Sequence, residues 1–93
     1  MDQLQEARKL INAVDTEMAQ LFVRRMEAVQ MVAEYKQAHG MPVLDTAREE
    51  EVIRNGANRV ADPAMRSYYT DFIRNIMAMS RQYQQALIQN EEV

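Results

Sequence analysis

Alternating steps of four and three residues along the first part of the chain give Leu4, Arg8, Ile11, Asp15, Met18, Phe22, Arg25, Val29, Val32 and Lys36, one face of a helix. An ordinary core stripe would be apolar at all ten positions. This one carries three cations and an aspartate. Burying an unpaired charge is costly, so each needs a partner or a ligand that supplies one. Asp15 can serve one of the cations, and no equally obvious acids serve the others. Arg25 and Lys36 are eleven residues apart, close to three turns, and so share a face about 16 Å apart along the axis. Reaching inward together, they could hold a small dianion. Arg8 lies seventeen residues before Arg25, about 25 Å away, and cannot join that site within one helix. An antiparallel helix of a second chain would bring its Arg8 there. The alternative is that each long cation snorkels from the rim of the stripe into water; three on one face favour the shared anion site.

Two further groups accompany this face. Late in the chain, Phe72, Ile73, Ile76, Met77, Ser80, Gln84 and Leu87 form a second stripe in which Ser80 and Gln84 are a polar pair one turn apart. They either bond to each other or to nearby backbone, or offer hydrogen bonds to the same cavity. Asp45, Arg48 and Glu49 make one turn of alternating charge. Asp45 suits a helix N-cap, and Glu49 suits the positive end of a helix. Arg48 works against the helix dipole there and requires an anionic neighbour. His39, the single histidine, sits where a helix C-terminus favours positive charge. No metal-ligand cluster, glycine-rich phosphate loop or serine–histidine pairing is present, so no metal or cofactor is expected. The eight methionines and four tyrosines read as packing.

These residues must be positioned by helices. From Leu4 to about His39 nothing interrupts a helix, and the run is rich in strong helix formers. Gly40-Met41-Pro42 stops it. Asp45 or Thr46 can cap a second helix, with Thr46-Ala47-Arg48-Glu49 as a capping box, fading near Asn55-Gly56. Asp62-Pro63 starts a third that runs to about Asn90, and the tail Glu91-Glu92-Val93 is expected to fray. The reading is all-α, three helices, one domain over residues 1–93.

Length adds a constraint. A helix of about 35 residues is roughly 50 Å long, whereas a compact domain of this size has a radius of gyration near ~12 Å. The first helix must overhang any such globule. Its apolar side needs a cover, and a second copy of the chain is the simplest one, giving an intertwined homodimer. Composition is 47% apolar and 27% charged, that of a soluble globular protein. Net charge of −3 argues against nucleic acid as partner, so positive charge must be concentrated locally at any anion site. The absence of cysteine excludes a thiolate nucleophile and fits a reducing cytoplasm. Met1-Asp2-Gln3 is a charged opening with no signal-peptide pattern, and no apolar run is long enough to span a membrane.

Over nearly its whole length the chain resembles the all-helical, AroQ-type (type II) chorismate mutases. The resemblance is carried by Arg8-x-x-Ile11-x-x-x-Asp15, Arg25, Lys36, Gly40-x-Pro42-Val43-x-Asp45-x-x-Arg48-Glu49 and Ser80-x-x-x-Gln84, in order and correctly spaced. It implies that Arg25, with Arg8 from the other subunit, holds the two carboxylates of chorismate, assisted by Arg48. It implies that Lys36 and Gln84 flank the ether oxygen of the breaking bond. Asp45 and Glu49 would bind the ring hydroxyl, and Ser80 would add a polar contact. A Claisen rearrangement to prephenate is unimolecular and concerted, which agrees with a sequence offering no nucleophile, metal site or cofactor motif. Two rivals stand beside it. An isochorismate pyruvate lyase of the same fold need not keep the acids at Asp45 and Glu49, and a non-catalytic dimerisation or regulatory module has no use for Lys36 or Gln84. Arg81 departs from the pattern, either as a surface residue or as one that alters substrate preference.

Overall fold

A computed structural model describes residues 2–91, with side chains through residue 89. It is all-helical: α1 is Gln3–Ala38, α2 Thr46–Arg59 and α3 Pro63–Glu91. Every apolar-periodic run became a helix, as the pattern predicts.

The helix ends follow from local chemistry. Asp2 caps α1, accepting from the backbone N–H of Gln5 at 2.8 Å, so the helix begins at Gln3, one residue before the expected Leu4. At the other end Gly40 takes φ +63°, the left-handed conformation glycine adopts without strain. This lets Met41 N–H reach the Lys36 carbonyl at 2.8 Å and Gly40 N–H the Gln37 carbonyl at 3.4 Å, a Schellman closure. His39 is the C-cap, with Nδ1 donating to the Tyr35 carbonyl at 2.8 Å and its ring stacked on Tyr35. That structural role accounts for it.

Two expectations about α2 are corrected. Its cap is Asp45, whose Oδ1 accepts from Arg48 N–H at 3.0 Å. The residue three places on is therefore Arg48 and not an acid, so the reciprocal half of the capping box at Thr46 has no donor–acceptor match. The helix also runs through Asn55-Gly56 to Arg59. Gly56 is buried against Tyr69, where a Cβ would stand 3.0 Å from the ring. The glycine is a close-approach point for α3, not a helix stop. Asp62 accepts from Ala64 N–H at 3.0 Å and starts α3 as expected. Fraying was expected at Glu91-Glu92-Val93; Glu91 closes α3, and residues 92 and 93 lie outside the described residues.

α3 packs on both other helices, while α1 and α2 do not pack on each other. The chain measures 55 × 28 × 14 Å, with a radius of gyration of 16.7 Å. A 36-residue helix is about 54 Å long, so α1 sets the longest dimension and overhangs as its length requires. The shortest dimension is little more than the about 10–12 Å diameter of one helix, leaving no second layer to bury an apolar face. Buried hydrophobes among the described residues are accordingly few: Val29, Ala33, Ile73 and Met77. On α1 the contact with α3 is rotated slightly from the expected stripe, since Ala33 is buried while Val32 is 44% exposed. From Leu10 to Val23 the large hydrophobes of α1 are open to solvent in the single chain. Among the described residues no helix is long and apolar enough to cross a membrane.

Candidate active site

Between the C-terminal half of α1, the start of α2 and the C-terminal half of α3 lies a cavity of about 410 Å³. Arg25 and Lys36 line it from α1, Arg48 and Glu49 from α2 with Asp45 at the helix cap, and Ser80 and Gln84 from α3. Seven residues singled out from sequence spacing thus share one space. Val29, Val32, Val43, Val52 and Met77 supply apolar wall between them. Arg8 is exposed and lines none of the cavities of its own chain described here. That agrees with its helical distance from Arg25.

Each end of the cavity is braced by a polar tie between elements. Arg25 Nη1 donates to Ser80 Oγ at 2.7 Å, and Ser80 donates in turn to the Ile76 carbonyl at 2.9 Å. Ser80 is buried and its single proton is committed to Ile76, while the guanidinium is held by one of its five donors. Four remain for an anion. Lys36 Nζ donates to the Val43 carbonyl at 2.6 Å, which draws the connection between α1 and α2 over the end of α1. An ammonium has three donors, so two stay free.

Gln84 is buried at 7% exposure, and its Oε1 has no hydrogen-bond partner. A buried polar atom left unpaired costs roughly 1–3 kcal/mol, which a ligand can relieve. Rotation of the amide exchanges oxygen and NH2, so this position offers either an acceptor or a donor to whatever fills the cavity. Ser80 and Gln84 do not bond to each other; of the two structural roles open to the pair, only Ser80 takes the backbone one.

The acids at the α2 end are less free. Asp45 caps its helix. Arg48 pairs with Glu51 at 2.6 Å, the anionic neighbour its position requires, but both side chains are at least half exposed and the pair contributes little. Glu49 pairs with Arg81 at 2.5 Å. Arg81 therefore belongs to the cavity wall and is not an outward-facing surface residue; its place directly after Ser80 puts a cation close to the site, and the pairing with Glu49 is what the structure adds. Among the described residues no group of three His, Cys, Asp or Glu is placed to hold a metal ion.

A second, larger and mainly apolar hollow of about 830 Å³ adjoins the first and shares Arg25, Arg48 and Val52 with it. Met18, Leu21, Phe22, Tyr69, Phe72 and Ile76 line it, with Asp15 at its edge. The cationic end of the small cavity thus opens toward the uncovered apolar face of α1.

Comparison with known proteins shows the family. The model of the family "Chorismate mutase type II" matches residues 7–85, and the chain belongs to that family. The T-protein of Haemophilus influenzae is 39% identical over 49 residues, 53% of this chain and 13% of that protein. The chain therefore spans a small part of the length of the curated relative it matches. No solved structure matches it significantly. Membership of the family supports chorismate mutase activity, an isomerase reaction of aromatic amino-acid biosynthesis.

Proposed function

We propose that this chorismate mutase type II chain converts chorismate to prephenate, in a homodimer whose two sites each take residues from both subunits. The observation that carries the reading is the single cavity lined by Arg25, Lys36, Asp45, Arg48, Glu49, Ser80 and Gln84.

The rearrangement breaks a C–O bond and forms a C–C bond in one step, so the protein has two tasks. It must hold the substrate in the compact conformer in which the reacting carbons meet, an orientation effect. It must also place donors where negative charge grows on the ether oxygen as the bond lengthens. Arg25, fixed by Ser80, and Arg48 bind the carboxylates together with Arg8 from the partner subunit. Lys36, tethered at Val43, and the amide N–H of Gln84 meet the ether oxygen from α1 and α3. Asp45 and Glu49 accept the ring hydroxyl. Apolar wall excludes water and strengthens each of these contacts.

A second copy is supported by shape. One helix of depth, four buried hydrophobes among the described residues and an uncovered run from Leu10 to Val23 describe half of a core. A two-fold arrangement with antiparallel α1 helices covers that run and carries Arg8 the ~25 Å it lacks. Residues 1–93 form one chorismate mutase domain, working in the cytoplasm.

Isochorismate pyruvate lyase remains the competing reading, and the two acids on the cavity wall favour the mutase. Purified chain is mixed with chorismate, and separately with isochorismate, with absorbance followed and products identified. Prephenate from chorismate is expected. Pyruvate and salicylate from isochorismate, with chorismate untouched, would overturn the mutase in favour of the lyase; inertness toward both would leave only a binding module.

A further inference from the structure

Arg81 is the one charged residue of the cavity wall that the reading above leaves without a task. Its Nη1 meets Glu49 Oε1 across a sequence separation of 32 residues, with side chains 33% and 24% exposed. Among the described residues this is the sole ion pair that joins two helices, since Arg48–Glu51 lies within α2. Neighbouring positions on a helix point about 100° apart. The step from Ser80 to Arg81 therefore addresses α1 with one side chain and α2 with the next: Ser80 fixes Arg25, and Arg81 fixes Glu49. Because α1 and α2 do not pack on each other, α3 is the helix that sets how far apart the two walls stand.

A glutamate side chain has three rotatable bonds and, left free, loses that freedom only when a ligand binds. Held by Arg81 through Oε1, it arrives with Oε2 still able to accept a hydrogen bond. We propose that Arg81 is a positioning residue for the ring-hydroxyl end of the site, orienting Glu49 as the acceptor that selects substrates bearing that hydroxyl. This rests on the reading of the chain as a chorismate mutase. Arg81 does not itself touch the substrate in this proposal; it acts through Glu49.

The test compares chorismate with an analogue in which the ring hydroxyl is replaced by hydrogen, used as a competitive inhibitor of the intact protein. A contact made equally in ground and transition states shows in KM and not in kcat. Arg81→Met is expected to raise KM for chorismate about tenfold, the scale of one charge-assisted hydrogen bond. It should leave kcat, and the inhibition constant of the hydroxyl-free analogue, within about twofold. In a Glu49→Gln background the same substitution should add about nothing further. Arg81→Lys should recover part of the KM, and it also carries the test should Arg81→Met fail to fold.

Equal losses on chorismate and analogue would make Arg81 a general structural or carboxylate-binding cation and overturn the proposal. So would an undiminished effect in the Glu49→Gln background. Failure of the wild-type chain to turn over chorismate is a different result: it overturns the mutase reading and takes this proposal with it.

Discussion

Arg25 of α1 donates to Ser80 of α3 across 2.7 Å, and Ser80 donates its own O–H to the Ile76 carbonyl. A serine hydroxyl has one proton, so that second bond fixes the first: Ser80 can only accept from Arg25. The serine is a rest for the guanidinium, built from α3 and aimed at α1. Removing it should release Arg25 without removing its charge.

Ser80→Ala is accordingly expected to lower kcat/KM for chorismate about tenfold, mostly through KM, on the scale of a hydrogen bond to a charged group. Arg25→Ala should cost far more, because it removes one of the cations proposed to hold the ligand's carboxylates and not only the support of that cation. Steady-state kinetics on the two variants checks the ordering. Equal losses would mean that Ser80 binds substrate itself.

Gln84 is neutral, so the hydrogen bond proposed for it at the ether oxygen should not titrate. Wild-type kcat is expected to be flat around neutral pH. Gln84→Glu replaces the amide N–H with a group that donates only when protonated, so its kcat should rise as pH falls through the carboxyl pKa and decline above it. Gln84→Ala should cost about 10²–10³ in kcat at every pH, as loss of one transition-state donor does elsewhere. A pH–rate profile for each of the three proteins decides the point.

The proposed sharing of the site between subunits predicts complementation. Arg8→Ala and Arg25→Ala homodimers should both be nearly inactive. Heterodimers formed by subunit exchange should regain one intact site, giving about half of wild-type activity per dimer. Proven heterodimers without activity would sink the contribution in trans. In the same vein Phe22→Glu, placed on the uncovered apolar face, should shift sedimentation toward monomer or unfolded chain.

Gly56 faces the ring of Tyr69 with no room to spare. Gly56→Ala gains about 0.8–1 kcal/mol of helix propensity but pushes on a ring 3.0 Å away, so the two effects should nearly cancel. Gly56→Val adds a branched side chain to the same contact and is expected to destabilise by about 1–3 kcal/mol. Thermal unfolding at fixed protein concentration separates these outcomes.

Much of the molecule was legible in order of residues alone. Helical runs, the Gly40 stop, the Asp45 and Asp62 caps and the overlong α1 follow from rules that act within a few residues, which is why periodicity and capping chemistry suffice to read them. The cations on an otherwise apolar face of α1 were legible for a different reason: a charge at a core position is costly enough to require an explanation. Where a local rule competed with packing, it misled. Asn55-Gly56 looked like a helix end, but Tyr69 from α3 occupies the space beside the glycine, and the helix continues to Arg59.

Sequence by itself thus determined the helices, the anomalous charges and the need for a cover over α1. Only the tertiary structure decided that the cavity closes around α3, and that neighbouring residues on it take opposite partners, Arg25 for Ser80 and Glu49 for Arg81. Spacing along one helix tells which side chains share a face. It does not tell which distant helix that face will meet, because that choice is made by packing between residues 32 and 55 positions apart.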